Sequence, residues 1–288
     1  MRRASTLGWQ ILFGVSLLAI WEWGWNLTPT LPWLVPDILD PYFVSKPSQI
    51  FQQFLNLGCL VTSDGKWTLS VEGSFAKCLA KSENNLWIAT YFTLKNTLWG
   101  FEIGVSLGFA LGLLLGRSDR LSEIFYPYIN AFNSIPRIAL APIIILACGI
   151  GDTSKVVTAV LVVVFLVFFN TFEGARAVDR DHINAARLLG AGEWQVTRTV
   201  IVPSTMAWLF ASLSPAISFS LIGVIVGEFI GAEHGIGRMI IEAEARGEAA
   251  GMMVAVFVLM VVGVILTTLV RRLQAWLLRW RPAQNAGA

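Results

Sequence analysis

Residues 100–116 read GFEIGVSLGFALGLLLG, which is apolar apart from one glutamate and one serine and has a glycine at every fourth position. A helix of this composition can cross a bilayer, because its backbone hydrogen bonds are satisfied within the helix where water is absent. Small residues at this spacing also let two helix backbones approach closely in lipid. The partner helix could belong to this chain or to a second subunit. The spacing predicts a helix-packing face formed by Gly100, Gly104, Gly108, Gly112 and Gly116.

The composition of the whole chain is that of an integral membrane protein. Hydrophobic residues make up 55% of its 288 residues, charged residues make up 14%, and the mean hydropathy is +0.65. These values lie outside the usual range of soluble domains. The first apolar run lacks a small-residue cleavage site and ends in tryptophans, so we expect a retained span rather than a secretion signal. We predict an all-α membrane protein with six transmembrane helices, at roughly 7–27, 90–115, 124–148, 154–174, 205–230 and 250–270.

Lysine and arginine near the ends of the predicted spans set the orientation, since positively charged loops stay on the cytoplasmic side. Arginine is concentrated on the face that carries both chain termini, which we therefore predict to be cytoplasmic. A cytoplasmic segment at 175–204 is expected between two of the spans. The predicted organisation is a cytoplasmic end with the first span at 1–27, an extracytoplasmic loop at 28–89, a five-helix core at 90–270 and a cytoplasmic tail at 271–288.

The extracytoplasmic loop carries two further features. Residues 47–55 have an amphipathic pattern that begins with a proline, for which we predict a short helix along the outer membrane surface. Cys59 and Cys78 lie in the same loop. An oxidising compartment would allow a disulfide between them that closes a loop of roughly 20 residues. Two unpaired thiols are the alternative.

Residues 184–203 read NAARLLGAGEWQVTRTVIVP and form a polar interruption between two apolar runs. The pattern predicts a short helix from Ile183 to Leu189, a turn at the glycines that follow, and a second amphipathic helix that Pro203 ends. A loop that merely connects two spans could be shorter and need not expose leucines and alanines to water. We therefore predict that this segment docks on another protein.

The docking segment resembles the cytoplasmic signature of permease subunits of binding-protein-dependent ABC importers. In that family the signature is Glu-Ala-Ala, then a glycine, then an Ile-x-Leu-Pro ending. This chain has Asn184-Ala185-Ala186, Gly190 and Val200-Ile201-Val202-Pro203 in register. Asn184 departs from the family pattern, because it keeps hydrogen-bonding capacity but lacks the charge of glutamate. The resemblance implies ATPase-coupling residues at Asn184, Ala185, Ala186, Arg187, Leu189, Gly190, Ala191 and Pro203.

Further segments are similar to the branch of this family that imports nitrate, bicarbonate, taurine and other sulfonates. They are Pro47-Ser48-Gln49-Ile50, Ser134-Ile135-Pro136-Arg137-Ile138-Ala139, Leu188-Leu189-Gly190-Ala191, Gly227-Glu228-Phe229 and Gly235-Ile236-Gly237. The resemblance implies a type I importer fold in a bacterial inner membrane. It also implies four kinds of contact: a second permease copy in a homodimer or heterodimer, two ATPase subunits, an extracytoplasmic solute-binding protein and lipid. A vitamin precursor or an aromatic carboxylate is the alternative solute.

The resemblance implies a non-catalytic chain whose energy comes from elsewhere. ATP and Mg are expected on the partner ATPase, because this sequence contains no G-x-x-x-x-G-K-[ST] phosphate loop. A stand-alone secondary transporter or channel would explain charges within the spans but leaves the docking segment without a purpose. A membrane-embedded enzyme would need a nucleophile with a base, or a set of metal ligands. The spacing of Asp179, Asp181 and His182 matches no metal site, so we expect a solvated loop face there and no metal.

Polar side chains within the spans are expensive and are therefore candidates for the translocation pathway or its gate. Arg137 could attract an anionic solute, pair with Glu102 or extend along a cavity. The prolines beside it, Pro136 and Pro142, each predict a bend in the third span. Serines could line the pathway or bond to their own helix backbone. The candidates are Ser134, Arg137, Ser218, Ser220 and Glu228, the last of which we expect to brace the gate through hydrogen bonds.

Overall fold

The computed structural model describes residues 2–24, 45–60 and 85–279, and within these ranges the regular structure is helical without strands. We number the helices in chain order. They are α1 (Arg2–Trp23), α2 (Pro47–Leu57), α3 (Leu86–Gly116), α4 (Asp119–Asn133), α5 (Ala141–Cys148), α6 (Asp152–Arg176), α7 (Arg180–Leu188), α8 (Glu193–Ile230), α9 (Ile236–Ala245) and α10 (Ala249–Leu277).

Four of the described helices are long and apolar enough to cross a membrane, namely α3, α6, α8 and α10. A fifth candidate is the pair formed by α4 and the segment Arg137–Cys148, which is bent by 80°. The single helix predicted at 124–148 is therefore broken. Pro136 lies at the break with ψ 100°, and the 3₁₀ turn Arg137–Leu140 follows it. The bend predicted at Pro142 does not form, because this proline lies in the first turn of α5, where a backbone donor is not needed.

Contacts divide the chain into two compact units, residues 1–90 with 236–259 and residues 91–235 with 260–288. In the first unit, the Ser48 backbone N–H and hydroxyl donate to the carboxylate of Glu22, at 3.0 and 2.7 Å. Phe54 of α2 packs against the core of this unit, whereas Phe51 is exposed, as expected of a short amphipathic helix. That core consists of Leu86, Ala89, Ile236, Met239, Ile240, Val254 and Ala255.

Cys59 is buried in the first unit and accepts a hydrogen bond from the Asn85 side-chain amide at 2.9 Å. The Trp87 indole N–H donates to the Gly58 carbonyl at 2.8 Å, which fixes the same turn to the start of α3. Cys78, the predicted disulfide partner, lies outside the described residues. The Cys59–Cys78 bridge therefore stays a prediction.

In the second unit, the glycine face of α3 lies against α6 of the same chain. A Cβ atom added at Gly104, Gly108, Gly112 or Gly116 would lie 2.7 Å from an atom of α6, and one at Gly100 would overlap Ala159. Real Cβ atoms do not approach their neighbours so closely, so each glycine is what lets the two backbones meet. A Cβ at Gly223 of α8 would likewise lie 2.8 Å from the Ala159 Cα. Helices α3 and α8 therefore both pack against α6 at Ala159.

Helix α8 begins in the docking segment and runs without interruption to Ile230. The prediction that Pro203 ends a helix is therefore wrong. Residues Thr197–Ile201 form a π-helical turn, in which the Val202 N–H donates to the Thr197 carbonyl five residues earlier. Pro203 then lies in the first turn of the α-helical part Val202–Ile230. The wider π turn accommodates a proline ring that would clash with a carbonyl in a regular α-helix.

Candidate docking surface and transport pathway

Helix α7 is bounded by a cap at each end. The Asp179 carboxylate accepts from the Asp181 backbone N–H at 2.9 Å at the start of the helix. At its end, Gly190 has φ +83° and donates to the Arg187 carbonyl, while Ala191 donates to the Ala186 carbonyl. This pair of bonds around a left-handed glycine is a Schellman cap. The cap turns the chain sharply from α7 into α8.

One face of the docking segment packs against the chain itself. Ile183, Ala186 and Ala191 lie on a buried cluster that joins the end of α6 to the beginning of α8. The buried members of that cluster are Ala175, Val178, Val196 and Ile201. An ion pair between Arg187 and Glu193, at 2.9 Å, closes the turn between α7 and α8. The segment is therefore attached to two membrane helices at once.

The other face of the segment is apolar and uncovered. Leu188 is 88% exposed, Leu189 89% and Trp194 73%. Asn184 and Ala185 are exposed beside them. We call these five residues the docking surface. Large apolar side chains that are this exposed and adjacent mark a surface that another molecule covers.

The predicted coupling residues divide between these two faces. Asn184, Ala185 and Leu189 belong to the docking surface, whereas Ala186 and Ala191 face the chain. Arg187 and Gly190 are exposed at the turn. Pro203 lies apart from both faces, on a cavity of about 350 Å³ whose wall also contains Trp208 of α8. Trp194 was missed by the family pattern, although an exposed tryptophan in a polar segment is itself a signal of a contact surface.

The second site is a cavity of about 250 Å³ beside the break between α4 and α5. The Arg137 guanidinium lies in its wall, with Cζ 5.1 Å from the centre of the Phe165 ring. Its Nη2 donates to the side-chain and backbone oxygens of Asn133. The predicted alternative of an ion pair with Glu102 is not observed, and no carboxylate among the described residues lies within ion-pair distance of Arg137. The other wall residues are Val162, Leu166, Phe169, Asn170 and Phe219.

The three predicted pathway serines are in different environments. Ser134 is exposed at the end of α4 and donates to the Asn130 carbonyl at 3.1 Å. Ser218 lies on a cavity of about 280 Å³ between α8 and α10. Ser220 is fully buried and donates to the Thr97 carbonyl of α3 at 2.7 Å. This placement contradicts a pathway-lining position for Ser220, because its hydroxyl joins two helices instead of facing a cavity.

Glu228 is buried, 2% exposed, near the end of α8. Its carboxylate accepts from the Thr93 hydroxyl of α3 at 2.8 Å. Gly235 lies directly against the carboxyl group, at φ +131°. Glu228 therefore joins helices within the second unit, and its position at a gate stays a prediction.

A polar network that the sequence analysis missed lies between α3 and the first turn of α6. Asp152 accepts from Lys95 at 2.8 Å and from the Asn96 amide at 3.0 Å. Lys155, which is 1% exposed, lies 3.8 Å from the same carboxylate. A buried ammonium needs such a partner. The sequence shows two charged residues, Asp152 and Lys155, within one turn at the start of a span. Helix ends that are exposed to water have the same pattern, so it does not by itself indicate a buried network.

Comparison with known proteins shows which family the sequence matches. The family model described as "Binding-protein-dependent transport system inner membrane component" matches residues 104–281. The formylaminopyrimidine transport permease protein of Halalkalibacterium halodurans is 28% identical over 99% of this chain and 100% of its own length. A Bacillus subtilis protein whose name assigns it to aliphatic sulfonates transport is 30% identical over 63% of this chain and 66% of its own length.

A solved structure has the same fold over most of its length. An inward-facing form of the MetNI methionine ABC transporter aligns with a TM-score of 0.59 at 20% sequence identity. The alignment covers 66% of this chain and 95% of the other. At this identity the similarity concerns the fold.

Proposed function

Because the chain belongs to the family of inner membrane components of binding-protein-dependent transport systems, we propose that it forms one half of the translocation pathway of an ATP-driven importer. It is a multi-pass membrane protein and a transport subunit without bond chemistry of its own. The observation that carries the proposal is the docking surface, which presents Leu188, Leu189 and Trp194 to a partner. The partner is a cytoplasmic ATPase subunit, which binds ATP and Mg.

Movement of the ATPase reaches the membrane through the attachment of α7. The cluster around Val196 and Ile201 joins α7 to the end of α6 and the beginning of α8. Helix α8 is continuous from Glu193 to Ile230. A displacement of the docking surface therefore moves two packed spans together, which is a rigid-body transmission. The assembly comprises two permease chains, two ATPase subunits and an extracytoplasmic solute-binding protein.

The proposed topology has six spans with both chain termini in the cytoplasm. Four described helices and the bent pair supply five candidates, and α1 is the sixth. This topology puts the docking segment at 175–204 on the cytoplasmic side, in agreement with the concentration of arginine on that side.

The proposed solute is a small anion such as nitrate, bicarbonate or a sulfonate. An aliphatic sulfonate relative supports this class, as does the charge of Arg137, which has no carboxylate partner among the described residues. A vitamin precursor is the second candidate, which the formylaminopyrimidine relative favours because it matches the chain over its full length.

The docking proposal is tested by ATP-driven uptake into proteoliposomes containing the complex of permease, ATPase and binding protein. The change is Leu189→Asp, which places a carboxylate where an apolar contact is proposed. Burying that charge without a partner costs enough to lower uptake by about tenfold or more. His182→Asp, an exposed position on α7 outside the docking surface, is the matched control and should transport normally. Uptake by Leu189→Asp equal to that of the control would contradict the proposal.

A further inference from the structure

We propose that the cavity at Arg137 binds the anionic group of the transported solute, and that the solute is a sulfonate or carboxylate carrying a short apolar body. The inference rests on the proposed function and narrows its substrate class. It concerns a site within the membrane chain, separate from the solute-binding protein that delivers the solute.

The charge of Arg137 is available to a ligand. No carboxylate among the described residues neutralises the guanidinium, and its buried Nε–H has no hydrogen-bond partner among them. The Asn133 side-chain oxygen and the Phe165 ring face the guanidinium, and both are uncharged. A charge in a low-dielectric site without a counter-ion attracts an anion strongly. A sulfonate or carboxylate oxygen can accept the free Nε–H in a charge-assisted bond.

Apart from Asn133 and Asn170, the rest of the cavity wall is apolar. It consists of Phe165, Phe169, Phe219, Val162 and Leu166. The Asn170 side-chain amide donates one N–H to the Leu166 carbonyl at 2.9 Å, so its second N–H and its oxygen are left for a ligand. Bicarbonate or nitrate would leave the aromatic wall without a partner. An anion with an attached alkyl group fills both the charged and the apolar parts of the site.

The cavity volume sets the size of that apolar body. At about 30 Å³ per water in the liquid, 250 Å³ corresponds to roughly eight waters. A sulfonate with a chain of a few carbons fits this space. Each added methylene that is fully buried should tighten binding by roughly fourfold. Affinity should therefore rise from methanesulfonate to butanesulfonate.

The experiment is a saturation-transfer NMR titration of the permease–ATPase complex in phosphatidylcholine nanodiscs, with butanesulfonate as the probe. We expect saturable binding to the unmodified complex and no competition from uncharged butanesulfonamide. Arg137→Gln should weaken binding about tenfold or more, the usual loss for a hydrogen bond to a charged group. Arg137→Lys, which keeps the charge, should retain part of the affinity. Arg246→Gln is the control, since Arg246 is exposed and pairs with Glu242.

A second variant tests the charge without removing the arginine. Asn133→Asp is nearly isosteric and places a carboxylate where the amide oxygen already accepts from Arg137. The new ion pair should neutralise the site and weaken butanesulfonate binding by about tenfold or more. A role of Arg137 in structure alone predicts no such loss, because the Arg137 contact is retained.

The inference would be overturned if butanesulfonate did not bind the unmodified complex, if Arg137→Gln and Asn133→Asp bound it as tightly as the unmodified complex does, or if affinity did not depend on chain length. Displacement of butanesulfonate when phosphatidylglycerol is added to the nanodiscs, with that lipid retained only by complexes with an intact Arg137, would show a lipid headgroup in the site and would also overturn it. ATP-driven uptake distinguishes the two levels of the account. If Arg137→Gln takes up solute at the same rate as the unmodified complex, the anion site is refuted and the proposed function stands. If the unmodified complex shows no uptake, the proposed function is refuted.

Discussion

Gly190 adopts a backbone conformation that glycine takes without strain and that a β-branched residue takes only at a cost. Its φ is +83°, and no atom of the described residues lies within 4 Å of the position that a Cβ would occupy. The cost of a substitution is therefore a matter of backbone strain and not of space. Valine here should introduce about 1–3 kcal/mol of strain, which opens the Schellman cap and displaces the docking surface.

The matched control is two residues away. Gly192 has φ −72° and ψ 163°, an extended conformation that valine favours, and it also has open space around it. We expect Gly190→Val to reduce ATP-driven uptake several-fold at unchanged membrane insertion, while Gly192→Val transports nearly normally. Equal uptake by the two variants would show that the turn geometry is not needed.

Gly235 combines a backbone conformation that would strain any other residue with a crowded position. Its φ is +131°, and a Cβ would overlap the Glu228 carboxyl group. Gly235→Ala should therefore displace the buried carboxylate from Thr93 and lower the free energy of unfolding by about 2 kcal/mol or more. Gly231→Ala is the control, because Gly231 has an extended backbone with φ −177° and a Cβ added there would lie 3.8 Å from its nearest neighbour, Ile150 Cγ1. Thermal unfolding in detergent measures the difference, and equal midpoints would contradict this account of Glu228.

The contact between α3 and α6 depends on the glycine face along its whole length. A side chain at Gly108 would meet the Val164 carbonyl at 2.7 Å, and backbone atoms cannot move aside as a flexible side chain can. Gly108→Leu should destabilise the protein by about 1–3 kcal/mol or more, despite the better helix propensity of leucine. Ala110→Leu introduces the same side chain at an exposed position of α3 and should leave the melting temperature unchanged. A stable Gly108→Leu variant would mean that the two helices can separate without cost.

Sequence patterns predicted the helices well, but they predicted helix breaks and helix–helix contacts less well. The glycine spacing predicted a packing face, but it could not identify α6 as the partner, since that depends on tertiary contacts. At Pro203, by contrast, the local pattern gave a wrong prediction. A proline usually ends a helix, yet the π turn at Thr197–Ile201 lets α8 continue through it.

The candidate sites were predictable to the extent that a local pattern carries them. The docking segment was found because its signature is contiguous in sequence. The apolar wall around Arg137 was not, because Phe165, Phe169 and Phe219 come from two other helices. Ser220 was predicted to line the pathway, whereas its hydroxyl bonds to the Thr97 carbonyl. That contact could not be predicted from a local pattern, because the two residues are 123 positions apart in sequence.

For the whole molecule, transport driven by ATP requires that an external ATPase covers the docking surface. Its exposed leucines and tryptophan belong to a segment attached to both α6 and α8, so force applied there reaches two spans. The most direct measurement is photo-cross-linking in the assembled complex, with benzoylphenylalanine at Leu189 and, as the control, at exposed Val264 of α10. We expect a covalent product with the ATPase subunit from position 189 and none from position 264. A complex that is active in uptake and gives no ATPase product from position 189 would contradict it.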